Sequence, residues 1–175
     1  MTAEERRKYI ITRLKESELP CSASSLAAEL GVSRQIIVGD VALLRASGTD
    51  IYATARGYVL PEKKEGLTRR IVCCHTADQM REELYCIVDQ GCMVQDVIVE
   101  HPVYNEICGR LQLGSRYDVD RFIEQCAAAE ARPLSMLTEG IHIHTLICPD
   151  EDAFRRVKSG LIQMGILLEP ADKIS

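Results

Sequence analysis

The sequence has no tryptophan and only two phenylalanines among its 175 residues, although 46 % of the residues are hydrophobic. Large aromatic side chains normally supply much of the area buried in a core. Their scarcity predicts cores filled by aliphatic side chains. A chain of this length can form one large domain or two small ones.

Long apolar runs and a secretion signal are also missing. No stretch approaches the roughly 20 apolar residues that cross a bilayer. The first residues are charged, from Glu4 to Lys8, so no signal peptide is recognised there. We therefore expect a soluble protein of the cytoplasm that does not contact a membrane.

The eight cysteines contain no Cys-x-x-Cys pair. They lie mostly among apolar neighbours, which is typical of small buried residues, and reduced thiols are expected inside a cell. Cys73 and Cys74 are adjacent, so on a strand they face opposite sides and cannot easily act on one ion together. Cysteine chemistry is therefore not the leading hypothesis.

Charge is distributed unevenly along the chain. Residues 1–70 carry 12 Lys/Arg and 9 Asp/Glu, a balance of +3, whereas residues 71–175 carry 9 and 17, a balance of −8. A mildly basic head on an acidic body fits a DNA-binding module joined to a part that need not touch DNA.

Residues 1–62 have the pattern of a winged helix-turn-helix domain. Three helices each begin at a capping residue, in the order Thr2, Ser22 or Ser24, and Ser33. Gly31 and Gly48 end the second and third helices. This order of short helix, glycine turn and capped helix is that of a helix-turn-helix. An apolar stripe on the third helix should face the core, namely Ile36, Ile37, Val41 and Leu44.

Two short β-rich runs at 51–54 and 57–60 predict the hairpin of a wing. The first turn of the third helix would enter the major groove, where Arg and Gln side chains recognise G and A. Basic side chains elsewhere would contact phosphate or the minor groove. The residues predicted to contact DNA are Ser33, Arg34, Gln35, Arg45 and Arg56. The alternative is a helical trimer used only for protein contacts.

Residues 66–175 have the order β-α-β-β-α-β-α-β, which predicts an α/β sandwich with one mixed or antiparallel sheet. With the helical head, the fold class is α+β. The stretch 61–66 is polar and bounded by proline and glycine, so it is predicted to be a linker.

A His-x-His pattern at 141–144 places His142 and His144 on one face of a predicted strand. Two such imidazoles can converge on one metal ion; the alternative is two surface histidines. His75, at the end of a strand, and Glu83, on the next helix, are further candidates. Eight helical residues span about 12 Å, so spacing alone does not join them, and Glu83 could instead be a solvated carboxylate.

Several longer motifs resemble a known family. The head is similar to the winged helix-turn-helix of small bacterial regulators in the segments 31–35, 40–45 and 55–60. The body resembles the 3H domain in its His75 and Glu83 pair and in three segments: Val99-Glu-His-Pro-Val-Tyr104, Ser115-Arg-Tyr-Asp-Val119 and Ile141-His-Ile-His-Thr145. The combination covers nearly the whole chain and is similar to the niacin-responsive transcriptional repressors of NiaR type.

This resemblance implies a homodimeric repressor that binds operator DNA in response to nicotinic acid and controls genes of NAD biosynthesis and niacin uptake. It also implies a divalent transition metal, nickel or zinc, held by His75, Glu83, His142 and His144. Arg116 is the candidate fork for the effector's carboxylate. His101 is a second candidate effector contact, or else fixes the turn before Pro102. Two residues stand where the family often has glycine: Asn105 and Glu139.

Two other functions fit the same residues. Three histidines and an acid with an open coordination position could activate water in a metal-dependent hydrolase, although no motif supplies a separate general base. A regulator could also sense the metal itself. The three hypotheses differ in whether DNA binding follows the effector, the metal or neither.

Overall fold

The computed structural model describes residues 1–61 and 65–169. The chain divides into two compact units, residues 1–63 and residues 64–175. Three residues of the predicted linker, 62–64, lie outside the described residues, as does the end of the body at 170–175. In the described part, no helix has the length and apolar character needed to span a membrane.

The first unit consists of three helices and a hairpin, bounded as follows: α1 Ala3–Glu16, α2 Ala23–Leu30, α3 Arg34–Ala46, β1 Tyr52–Thr54 and β2 Gly57–Val59. Thr2 and Glu5 form the expected capping box. The side chains of Ser22 and Ser33 accept a hydrogen bond from the first turns of α2 and α3, and satisfy backbone donors that a helix start leaves unpaired. The antiparallel hairpin follows α3, so this unit has the winged helix-turn-helix order.

The core of the first unit is aliphatic, with Ile10, Leu26 and Ile37 fully buried. The expectation for α3 is wrong at one position, because Ile36 is 42 % exposed and Asp40 is buried in its place on the inner face. Asp40 accepts from Arg6 Nε at 2.5 Å and from Arg7 at 3.4 Å. A carboxylate can be buried when it is paired in this way, which an apolar pattern does not indicate.

The second unit follows the predicted order of strands and helices: β3 Leu67–Cys74, α4 Met80–Val88, β4 Met93–His101, β5 Asn105–Leu113, α5 Arg116–Ala128, β6 Ile141–Cys148, α6 Glu151–Gln163 and β7 Leu167–Leu168. The five strands form one sheet in the order β5-β4-β6-β3-β7. Every pairing in it is antiparallel. The sequence predicts a mixed or an antiparallel sheet, and the sheet is antiparallel.

The alternation of side chains along the neighbouring strands β3 and β6 decides which of them face the helices. In the β3–β6 register, Ile71 lies opposite His144 and Cys73 opposite His142, and Cα partners share a face of the sheet. Ile71, Cys73 and Leu146 belong to the core that also contains the buried residues of α4 and α6. The two histidines of β6 therefore lie on the covered face, and both are 3 % exposed.

Two residues of the second unit that are not glycine, Asn105 and Glu139, share a backbone conformation. Asn105 has φ +60° and Glu139 has φ +53°, in the left-handed region where glycine is the least strained residue. Asparagine is also tolerated there.

Candidate metal centre

Three buried imidazoles of the second unit surround the buried carboxylate of Glu83. The Nε2 atoms of His75 and His142 lie 2.7 Å and 3.0 Å from the carboxylate oxygens of Glu83, and that of His144 lies 3.5 Å away. Neighbouring imidazole rings meet edge to face, with centroids 4.9 Å apart for His75 and His142 and 4.7 Å apart for His142 and His144.

Glu83 reaches the histidines because the chain does not continue directly from strand to helix after His75. A 3-10 turn, Ala77–Gln79, intervenes, and α4 starts only at Met80. Glu83 therefore sits in the first turn of α4 rather than two turns into a helix that begins at His75. The chain therefore folds back between His75 and Glu83, which their spacing in the sequence did not require. Glu83 is 1 % exposed, so it is not a solvated carboxylate.

The second ring nitrogen of each histidine contacts a backbone carbonyl. The Nδ1 atoms of His75, His142 and His144 lie 2.7 Å from Thr76 O, 2.8 Å from Gly140 O and 2.6 Å from Asp96 O, respectively. A carbonyl oxygen only accepts, so each Nδ1 carries the proton that it donates. In the neutral form of each ring, Nε2 would then present a lone pair towards Glu83, which is the orientation of a metal-ligating histidine.

Charge at this centre is strongly coupled. Burial raises the pKa of Glu83, but the three imidazoles outweigh burial and hold that pKa well below its usual value. Burial lowers the pKa of His75 and His144, but the hydrogen bond and charge of Glu83 outweigh it and raise both pKa values. The carboxylate is therefore ionised, and the cluster favours a positive charge between it and the rings.

The donor set fits a divalent transition metal. The Nε2 lone pairs face carboxylate oxygens that also only accept, so these contacts are favourable only with a cation, a proton or a metal, between them. Imidazole and carboxylate ligands suit Zn, Ni, Co or Fe(II), whereas Mg and Ca prefer oxygen ligands alone. The carbonyls that hold the Nδ1 atoms supply the outer contacts that such a site requires.

Gly140 brings β6 against the end of β3. Its φ is +94°, and a Cβ built there would lie 2.3 Å from the carbonyl oxygen of His75. The carbonyl of Gly140 accepts from Nδ1 of His142 and from the backbone N–H of His75. One residue without a side chain therefore positions two of the four candidate ligands.

Cys73 is the residue of this centre that sequence reasoning missed. Its Sγ, a Glu83 oxygen and a His142 nitrogen all lie within 4.8 Å of one another. Cys73 and Cys74 do face opposite sides of β3, but Cys73 lies at the centre without help from Cys74. Strand alternation relative to His75, two residues further on, was the available signal.

The two candidate effector residues lie in different surroundings. Arg116 donates to both carboxylate oxygens of Asp89, at 2.7 Å and 2.5 Å, and its guanidinium stacks on Tyr85. Nδ1 of His101 accepts from the backbone N–H groups of Val103 and Tyr104, so His101 does stabilise the turn after β4. Contact of either residue with an effector stays a prediction.

The residues predicted to contact DNA are all in the first unit. Arg34 and Gln35 are exposed in the first turn of α3, directly after the cap Ser33. Arg56 lies in the turn between β1 and β2. Arg45 donates through Nε to the carbonyl of Ile51 at 2.7 Å, so part of its guanidinium is engaged within the unit. Contact of these side chains with DNA stays a prediction.

Comparison with known proteins assigns both units. Residues 68–170 match the 3H domain model, and residues 6–59 match a helix-turn-helix (HTH) domain model. The probable transcription repressor NiaR of Thermotoga maritima is 43 % identical over 166 residues, which cover 95 % of each chain. The transcription repressor NadR of Bacillus subtilis is 40 % identical over 168 residues, 94 % of this chain and 93 % of that protein.

A DNA-binding helix-turn-helix unit followed by a 3H domain defines a class of transcription regulator rather than an enzyme. The chain belongs to the NiaR-type family of transcription repressors. The resemblance drawn from the sequence motifs is thereby confirmed, together with the α+β fold class.

Proposed function

We propose that this protein is a cytoplasmic homodimeric repressor that binds operator DNA in response to nicotinic acid and controls genes of NAD biosynthesis and niacin uptake. A divalent metal, nickel or zinc, would be held by His75, Glu83, His142 and His144. The observation that carries the proposal is the convergence of three imidazoles and one carboxylate at a buried point in the 3H unit.

The protein's own groups define what the centre can recognise. Backbone carbonyls fix the three histidine rings with Nε2 inward, and Glu83 supplies the compensating charge. When bound, the ion would supply an open coordination position to the ring nitrogen or the carboxylate of nicotinate. Nicotinate presents a planar carboxylate, which is the group that Arg116 already binds in Asp89, so exchange of one carboxylate for the other would let Arg116 hold the effector.

Nicotinate can change the affinity for DNA only by the difference between its own affinities for the DNA-binding conformation and for the other conformation. In a homodimer, operator binding requires two α3 helices about 34 Å apart, one turn of DNA. We propose that the metal and nicotinate together favour this arrangement, and that exposed residues at the start of α3, Arg34 and Gln35, then contact base edges.

The test is operator affinity measured by gel shift on the DNA upstream of the protein's own gene, with dialysed protein, with metal, with nicotinate and with both. We expect binding with both to be at least about 10-fold tighter than with metal alone, within the usual range of allosteric coupling. Arg34→Ala should weaken binding in all four conditions. Equal affinity with and without nicotinate would overturn the effector assignment, and affinity that follows metal alone would make the protein a metal sensor.

A further inference from the structure

We propose that Cys73 supplies a sulfur donor to the metal centre, so that this chain holds its ion with mixed nitrogen, oxygen and sulfur ligands. The inference rests on the metal site proposed above. Its basis is the cluster in which Cys73 Sγ, a Glu83 oxygen and a His142 nitrogen lie within 4.8 Å of one another. Zinc bonds of about 2.3 Å to sulfur and about 2.0–2.1 Å to nitrogen reach between such atoms after small side-chain rotations.

The sheet itself fixes the position of the thiol. Cys73 and His142 are Cα partners in the antiparallel β3–β6 register, so their Cβ atoms lie roughly 4.5–5.5 Å apart on one face. Both strands are internal to the sheet, and Cys73 is fully buried. The sulfur is therefore held next to the imidazole by regular structure rather than by a loop.

The Cys73 thiol lies close to two of the proposed ligands. Its Sγ is within 4.8 Å of a carboxylate oxygen of Glu83 and of a ring nitrogen of His142. Coordination of a metal would release the thiol proton to solvent, as it does at other cysteine ligands.

The other cysteines do not share these surroundings. Cys74 follows Cys73 directly but points to the opposite face of the sheet and is partly exposed. Cys92 and Cys148 are buried and interact with each other. In the part of the chain that the structure describes, Cys73 is the one cysteine grouped with two other metal-ligating side chains.

A sulfur ligand would change which ions the centre prefers. Thiolate favours soft or borderline ions such as zinc over manganese and magnesium, which prefer oxygen ligands. The chain would then select thiophilic metals more strongly than a site of three histidines and one glutamate. Cys73→Ala should weaken zinc binding by about 10-fold or more, because even residues that only contact a ligand change metal affinity by about 10-fold when they are replaced. Manganese binding should change little.

Cobalt(II) added to the dialysed full-length protein tests this directly, because sulfur coordination produces a near-ultraviolet charge-transfer band that nitrogen and oxygen ligands do not. We expect the band in the unmodified protein and in Cys74→Ser, which alters the neighbouring thiol on the other face. Cys73→Ala and Cys73→Ser should lose the band and retain the visible ligand-field bands of bound cobalt.

Ligand-field bands without a charge-transfer band in the unmodified protein would overturn the role of Cys73 and leave the four-residue site intact. A charge-transfer band that persists in either Cys73 variant would also overturn it. Absence of all cobalt bands in the unmodified protein would instead show that the metal site proposed above is wrong, and the sulfur ligand with it.

Discussion

Glu83→Gln should strongly reduce the stabilisation that nickel or zinc gives to the protein. Metal at 100 times its dissociation constant stabilises a folded protein by about 2.7 kcal/mol. A neutral amide removes the negative ligand that offsets the ion's charge, so the same metal concentration should give a smaller gain. Its NH2 group, placed where Oε2 of Glu83 now lies, can donate to Nε2 of His75 and of His144, while its oxygen faces His142. The variant therefore keeps part of these contacts and should fold without metal.

The measurement is thermal unfolding of Glu83→Gln with and without metal. Glu82→Gln is the matched control, because Glu82 is the preceding residue of α4 and is exposed; it should respond to metal like the unmodified protein. A metal-induced shift of equal size in Glu83→Gln would remove Glu83 from the ligand set. Loss of the shift in both variants would point to a general effect of charge on α4.

Gly140→Ala should destabilise the 3H unit by about 2–4 kcal/mol and eliminate metal binding. A left-handed backbone costs about 1–3 kcal/mol for a residue other than glycine, and the added methyl group would collide with the carbonyl of His75, 2.3 Å from the Cβ position. Relief of that collision must separate the end of β3 from the start of β6. His75 and His142 would then no longer converge on Glu83.

Gly165→Ala separates strain from collision in this experiment. Gly165 has φ +69° in the same unit, but a Cβ there meets nothing within 4 Å, so we expect only the strain of the left-handed backbone, about 1–2 kcal/mol of destabilisation, and normal metal binding. Denaturant unfolding and metal titration of the two variants provide the comparison. Equal losses of stability, with metal binding kept in both, would contradict the positioning role of Gly140.

Local chemistry in the sequence predicted much of the fold. The capping box of Thr2 and Glu5 marks the start of α1 because its hydrogen bonds form within four residues. The alternation at 141–144 predicts that His142 and His144 share a face, since strand geometry requires it. These features depend on short stretches of chain, so a single sequence contains them.

Contacts between distant segments could not be predicted in the same way. Glu83 meets the histidines because a 3-10 turn redirects the chain after His75, and no periodic pattern encodes that turn. Cys73 joins the centre through the register of β3 against β6, which is set by pairing along two whole strands. The burial of Asp40 depends on Arg6 and Arg7, which lie more than 30 positions earlier in the chain.

Metal content gives the most direct test of the central claim, that His75 after β3, Glu83 on α4 and the two histidines of β6 close around one divalent ion. The protein should be loaded with nickel or zinc, passed through a desalting column and analysed by elemental mass spectrometry beside the double variant His142→Ala/His144→Ala. We predict close to one ion per chain in the unmodified protein and almost none in the variant. No bound metal in the unmodified protein, or equal content in both, would contradict the account.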